Sequence, residues 1–172
     1  MVRLSTLVRF ASVACIVAVA GCTTKPAPTE APPPSQMAPQ ASENESNIVA
    51  GSEQDLKVNV GDTVHFAYDK YNVQDEDRTV LQRQAAWLQK YPAVRVTVEG
   101  DCDERGTREY NLALGARRAN SVKEYLVSLG VSSARVDTIS YGKERPICSE
   151  STEECWAQNR RGVTVVAGGA SS

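Results

Sequence analysis

The chain has one histidine, His65, in 172 residues. It also lacks cysteine or histidine pairs at CxxC or HxxxH spacing, so Cys102, Cys148, Cys155 and His65 do not form a compact zinc-binding pattern, and no metal is expected. The same scarcity argues against a cysteine nucleophile. Cys102 is flanked by acids, His65 sits in a strand-like stretch, and no oxyanion loop accompanies them. Neither an enzyme nor a cofactor site is expected. Basic charge is in short supply as well, with Lys+Arg 19 against Asp+Glu 21. Arg3 and Arg9 fall within the first 21 residues, which leaves the remainder more acidic still. That balance provides no basic stripe for a nucleic acid. Beyond residue 21 no apolar run is long enough to span a bilayer, and no internal repeat is visible.

The features that are present begin at the N-terminus. Arg3 and Arg9 are the only charges before Cys22, and an apolar stretch from Phe10 to Ala20 leads to the small residues Ala20-Gly21. This is the pattern of an export signal over residues 1–21, too short for a transmembrane helix. Val19-Ala20-Gly21-Cys22 resembles the bacterial lipobox, whose cysteine carries diacylglycerol and an N-acyl chain. The resemblance implies that Cys22 is lipidated. Each buried CH₂ contributes roughly 0.8 kcal/mol, and several chains anchor firmly where one is marginal. Thr23 stands where an Asp would favour inner-membrane retention, which implies the outer membrane, with the chain facing the periplasm. Residues 22–56 form a tether. Six of the eight prolines lie there (Pro26, Pro28, Pro32, Pro33, Pro34 and Pro39), among Ala, Ser, Thr, Glu and Gln and without an aromatic residue. Such a segment buries too little apolar surface to offset its ordering entropy. Residues 57–167 have the size of one small domain, and 168–172 form a tail.

Within the domain, Asp62–Tyr68 is β-rich and predicts a first strand. Asp75, Glu76 and Asp77 open a helix on which Val80, Leu81, Gln84, Ala85 and Leu88 recur at helical spacing, with Pro92 beyond its end. Val94, Val96 and Val98 alternate with polar residues as in a half-buried strand. Leu112, Ala119, Val122, Leu126 and Leu129 mark a longer helix that stops at Gly130. Val136–Tyr141 and Gly162–Val166 predict two further strands. The order β-α-β-α-β-(insert)-β predicts an α+β domain with helices packed on one face of a mixed sheet.

The densest chemistry lies in Glu99-Gly-Asp-Cys-Asp-Glu-Arg-Gly-Thr-Arg-Glu-Tyr-Asn111, followed by Arg117-Arg-Ala-Asn120. A strand runs into a Gly-bracketed acidic loop, and a helix carrying adjacent arginines follows. This segment resembles the peptidoglycan-binding motif of OmpA-like domains, most of all that of peptidoglycan-associated lipoproteins. Phe66–Tyr71, Val96–Gly100, Ser140–Pro146 and Asn159–Arg161 extend the resemblance from Val64 to Val166. It implies non-covalent binding of peptidoglycan at the diaminopimelate of its stem peptide, whose side chain ends in an ammonium and a carboxylate. Asp103 matches the family's key Asp and Arg118 its key Arg. A carboxylate accepts from an ammonium, and a planar guanidinium grips a carboxylate with two parallel hydrogen bonds. Asp69, with the backbone of Tyr68, matches a strand-end contact, and Asn111 and Arg161 lie in motifs near the pocket. The resemblance further implies partnership with Tol system proteins, as in a Tol–Pal system supporting envelope integrity and cell division. Asp101 and Cys102 depart from the family pattern, and Asp101 brings a third carboxylate to the loop.

Read without the resemblance, the same residues have plainer roles. Asp103 can cap the turn, and Arg118 can be a solvated helix face or a structural partner of Asp103. Arg117 and Arg118 lie about 100° apart on a helix, so one at most enters the site. A tethered interaction module without wall binding is the alternative class. For an exported chain with Cys102, Cys148 and Cys155 a disulfide is expected. Cys148 and Cys155, flanking a short acidic insert, are the most economical pair, and Cys102 with either one is the alternative.

Anchoring gives the first prediction. Cys22→Ser should block incorporation of labelled fatty acid and release the protein from membrane fractions. Unchanged membrane association would contradict the lipobox reading.

Overall fold

In a computed structural model the chain is described over residues 48–169. The export signal, Cys22 and most of the tether therefore lie outside the described residues. Four strands form one sheet in the order β1-β4-β2-β3. They are β1 (Thr63–His65), β2 (Arg95–Asp101), β3 (Val136–Gly142) and β4 (Arg161–Gly168). β4 runs antiparallel to both β1 and β2, while β2 and β3 are parallel. That parallel pair requires a crossover, supplied by helix α2 (Arg108–Ser128). Helix α1 (Asp75–Lys90) joins β1 to β2, and a short α3 (Glu153–Asn159) sits in the insert before β4. The expected β-α-β-α-β-(insert)-β order is thus the observed one.

Hydrophobic alternation positions these layers. Val94, Val96 and Val98 are buried while Arg95 is exposed, so the valines point to one face. There they meet Leu81, Ala85 and Leu88 of α1 and Ala119, Val122 and Leu126 of α2 in one core. Val64, Phe66 and Val136 complete it. The Thr107 hydroxyl caps α2 by accepting from the Tyr110 N–H, at 3.2 Å. Gly130, at φ +94°, ends α2 in the left-handed conformation expected of that position.

Three differences from the sequence reading are informative. β1 covers only Thr63–His65, although the Phe66 N–H still donates to the Arg160 carbonyl at 2.9 Å. The chain then leaves the sheet, because Ala67 and Lys70 turn their carbonyls toward Arg118. The insert holds helix α3, which no long apolar period announces. Packing also begins ahead of the expected boundary at residue 57. Leu56 is fully buried, and the Asp55 carboxylate accepts from the Gly51 N–H (2.7 Å) and from Trp87 Nε1 (2.9 Å). Cys148 and Cys155 form a disulfide across the insert, with Cα atoms 5.2 Å apart, and Cys102 is free and buried. Among the described residues no helix is long and apolar enough to cross a membrane.

One contact sets the distance between α2 and the sheet. A Cβ on Gly100 would lie 1.9 Å from the Gly115 carbonyl oxygen, and one on Gly115 would lie 2.3 Å from Ser140 Oγ. The helix therefore lies backbone to backbone on β2. Gly100→Ala should lower stability by at least the roughly 1–3 kcal/mol typical of an overpacked interior, read as a lower urea midpoint at unchanged slope. Gly168→Ala, where nothing lies within 4 Å, should stay within about 0.5 kcal/mol of wild type. Equal effects at the two positions would refute the close-contact account.

Candidate functional site

The close approach of α2 carries Arg118, one turn after Gly115, beneath the end of β2. Its guanidinium is 1% exposed. Nε donates to the Lys70 carbonyl (2.9 Å), Nη1 to the Asp101 carbonyl (2.8 Å) and Nη2 to the Ala67 carbonyl (3.2 Å). The Phe66 ring lies 5.2 Å below it. Desolvation draws its pKa below the ordinary arginine value, partly countered by Cys102 and Asp103. Among the described residues no carboxylate lies within ion-pair distance of it. Arg118 is thus a tie between three chain segments, and it also lines the pocket.

Asp103 occupies the acidic loop with a side chain only 6% exposed. Arg105 reaches back onto it with three donors: its backbone N–H (3.1 Å) and Nε (3.2 Å) to Oδ1, and Nη2 (2.6 Å) to Oδ2. Arg160 Nη1 lies 3.4 Å from Oδ2. Burial alone would raise this carboxyl, but the hydrogen bonds from Arg105 and then Arg160 outweigh it, and the pKa falls below the ordinary range. Lys143 Nζ braces the loop by donating to the carbonyls of Glu104 (3.0 Å) and Gly106 (2.7 Å).

Between these two groups lies a pocket of about 120 Å³, lined by Asp103 and Arg118 together with Tyr68, Asp69, Tyr110 and Asn111. Asp69 is the one described non-glycine residue at positive φ, +57°, and its carboxylate accepts from the Tyr110 hydroxyl. Asn111 is buried and donates through Nδ2 to the carbonyls of Arg105 (2.8 Å) and Thr107 (3.0 Å). Tyr68 is exposed at the rim.

Five of the six expected site residues therefore meet at one corner; Arg161 does not. Its guanidinium donates to the carbonyls of Arg145 (3.1 Å) and Asn159 (3.4 Å) and faces Asp101 at 3.2 Å, away from the pocket. Strand alternation sends neighbouring side chains apart, so it is Arg160 that turns toward Asp103. Asp101 likewise does not line the pocket. Its carboxylate is 1% exposed, and Arg161 approaches without hydrogen-bond alignment. Burial pushes its pKa up to about 6, against the pull of Arg161. Cys102 does line the pocket, and burial pushes its thiol up to about 11, which keeps it protonated.

Sequence reasoning missed Arg105, Arg160 and the insert's contribution. Arg105 lies flat between Tyr68 (4.1 Å) and Trp156 (4.0 Å). Trp156 Nε1 and Ser151 Oγ both donate to Glu104 Oε1, at 3.0 and 2.7 Å, so the disulfide-closed insert forms one wall of the rim. The sequence signal was Arg105 within Asp-Glu-Arg-Gly, but its partners lie about 40 and 50 residues away in the chain. Chemically, the corner offers carboxylates and guanidinium donors to a small group bearing both charges.

Comparison with known proteins places this geometry. Residues 65–160 match the model of the OmpA family. The chain is 46% identical over 156 residues to a peptidoglycan-associated lipoprotein of Mesorhizobium japonicum, covering 91% of this chain and 89% of the relative. It is 54% identical over 121 residues to that of Rhizobium meliloti, covering 70% and 69%. Its fold is similar to the crystal structure of the peptidoglycan-associated lipoprotein from Burkholderia pseudomallei, with a TM-score of 0.60 and 44% identity over 61% of this chain and 89% of that one.

Because Arg118 holds three carbonyls, its removal is a structural lesion. Each buried acceptor left without a partner costs about 1–3 kcal/mol. Arg118→Ala should therefore lower the thermal midpoint of unfolding steeply. Arg117→Ala, whose guanidinium lies over the Tyr71 ring at 5.5 Å, should leave it nearly unchanged. Equal midpoints for the two variants would show that Arg118 is not the tie described.

Proposed function

The chain belongs to the OmpA family, and from that premise we propose that it is a peptidoglycan-associated lipoprotein linking the outer membrane to the cell wall. The domain binds the wall non-covalently, and Cys22 carries the lipid. In this reading the diaminopimelate side chain of the stem peptide enters the pocket between Asp103 and Arg118. Its ammonium faces Asp103 and Asp69, and its carboxylate faces the guanidinium donors. The observation that supports this most is the juxtaposition of a buried carboxylate and a buried guanidinium in one open pocket, in a chain 46% identical to a peptidoglycan-associated lipoprotein. Nothing in the pocket requires a reaction; its groups are arranged to hold opposite charges. Tol system proteins are the proposed protein partners. Through them the tether would support envelope integrity and division.

The test is co-sedimentation of the full chain with purified sacculi. Asp103→Asn should weaken binding by about 2–5 kcal/mol, the usual cost of deleting one partner of a desolvated charge pair, while circular dichroism stays native. Arg117→Ala should bind like wild type. Wild-type-like retention of a folded Asp103→Asn protein would move the site elsewhere. No retention of the wild-type chain would favour an interaction module without wall binding.

A further inference from the structure

The charged groups of the pocket already have partners within the chain. Asp103, the group proposed to take an ammonium, is gripped side-on by Nε and Nη2 of Arg105. Arg118, the group proposed to take a carboxylate, has three donors engaged on backbone carbonyls and is almost without exposure. A ligand bearing both charges thus meets an occupied anion and a largely spent cation. Arg105 lines the same pocket but is freer than Arg118: its side chain is 28% exposed, and its guanidinium hydrogen bonds go to Asp103 rather than to backbone carbonyls. Its outer Nη1 faces only Glu153, at 3.6 Å, a side chain itself 59% exposed.

We propose that Arg105 is the specificity-determining residue of this pocket: it occupies Asp103 when the ligand is absent, and yields Asp103 to the ligand's ammonium while turning its own N–H edge to the ligand's carboxylate. This rests on the wall-binding reading given above. The stacking permits the exchange. Tyr68 and Trp156 hold the guanidinium between two faces, at 4.1 and 4.0 Å. Attraction to an aromatic face fixes the plane of the group and leaves in-plane rotation largely free. Arg160 remains beside Asp103 throughout, held by the Phe66 carbonyl (3.0 Å) and by Glu153 (2.7 Å). Charge balance then selects the ligand. Two carboxylates, Asp69 and Asp103, and two guanidiniums, Arg105 and Arg118, line the pocket. A side chain ending in both ammonium and carboxylate preserves that balance and gives the displaced Arg105 a partner. A side chain ending in ammonium alone displaces Arg105 and leaves it only the exposed Glu153 carboxylate, at 3.6 Å. Arg105 therefore opposes a cationic ligand and favours a zwitterionic one.

Calorimetric titration of the full chain in detergent tests this, using a stem tripeptide ending in meso-diaminopimelate and the same tripeptide ending in L-lysine. The two side chains differ by one carboxylate. In Arg105→Gln, affinity for the diaminopimelate peptide should fall about ten- to a hundredfold, while affinity for the lysine peptide holds or rises. Trp156→Leu, which loosens the stack and leaves Asp103 untouched, should shift both affinities in the same directions by less. A parallel loss for both peptides would make Arg105 a mere structural brace, and a parallel gain would make it a simple plug. Either result overturns the proposal while leaving wall binding intact. A wild-type chain that binds neither peptide overturns the wall-binding reading along with it.

Discussion

A charged guanidinium with 1% exposure is costly to bury unless its donors are met. Arg118 meets that requirement with carbonyls from Ala67, Lys70 and Asp101 rather than with a carboxylate. Those carbonyls belong to the segment leaving β1 and to the end of β2, so one side chain from α2 fixes how three segments meet. Asp69, at φ +57°, is held in place by this arrangement and delivers its carboxylate to the Tyr110 hydroxyl. Without the tie, the pocket would lose the relation between its two sides.

The tie in turn depends on two glycines. A Cβ at Gly100 or Gly115 would push α2 off β2, and Arg118 would no longer reach the Asp101 carbonyl. On the other side of the pocket the polar network is continuous. Arg105 and Arg160 both pair with Asp103, both also approach Glu153, and Glu153 opens the helix inside the disulfide-closed insert. The insert thus takes part in the site through Trp156 and Glu153, although neither lines the pocket itself. The pocket has one wall fixed by backbone contact and a rim built from exposed, rearrangeable side chains. That division suits a site that must be shaped in advance and still exchange partners on binding.

The fold was legible where it depends on periodicity. The Val94-Val96-Val98 alternation and the helical spacing of Leu81, Ala85 and Leu88 located two of the elements that meet in the core. Gly130 marked the end of α2. The short disulfide pairing also followed from sequence distance. What could not be read locally were roles decided by partners far along the chain. Arg118 could be placed on a helix but not known to be buried, because its acceptors lie 17 to 51 residues away. Arg161 and Arg160 differ by one position, and only the geometry at the start of β4 decides which reaches Asp103. Asp103 and Arg118, singled out by family resemblance, line one pocket, and the partners that hold each of them are not legible in the motif alone.

The proposed function requires that this corner, and no other described surface, receives the wall peptide. The groove across α1 and α2 lined by Val73, Ser121 and Glu124 is a built-in control. Amide chemical shifts of the isotope-labelled protein, followed during titration with a diaminopimelate-containing muropeptide, distinguish the two surfaces. Saturable shifts concentrated at Asp69 and from Asp103 to Asn111 are expected, with Val73, Ser121 and Glu124 unmoved. Shifts centred on that groove, or no shifts at saturating peptide, would contradict the proposed function.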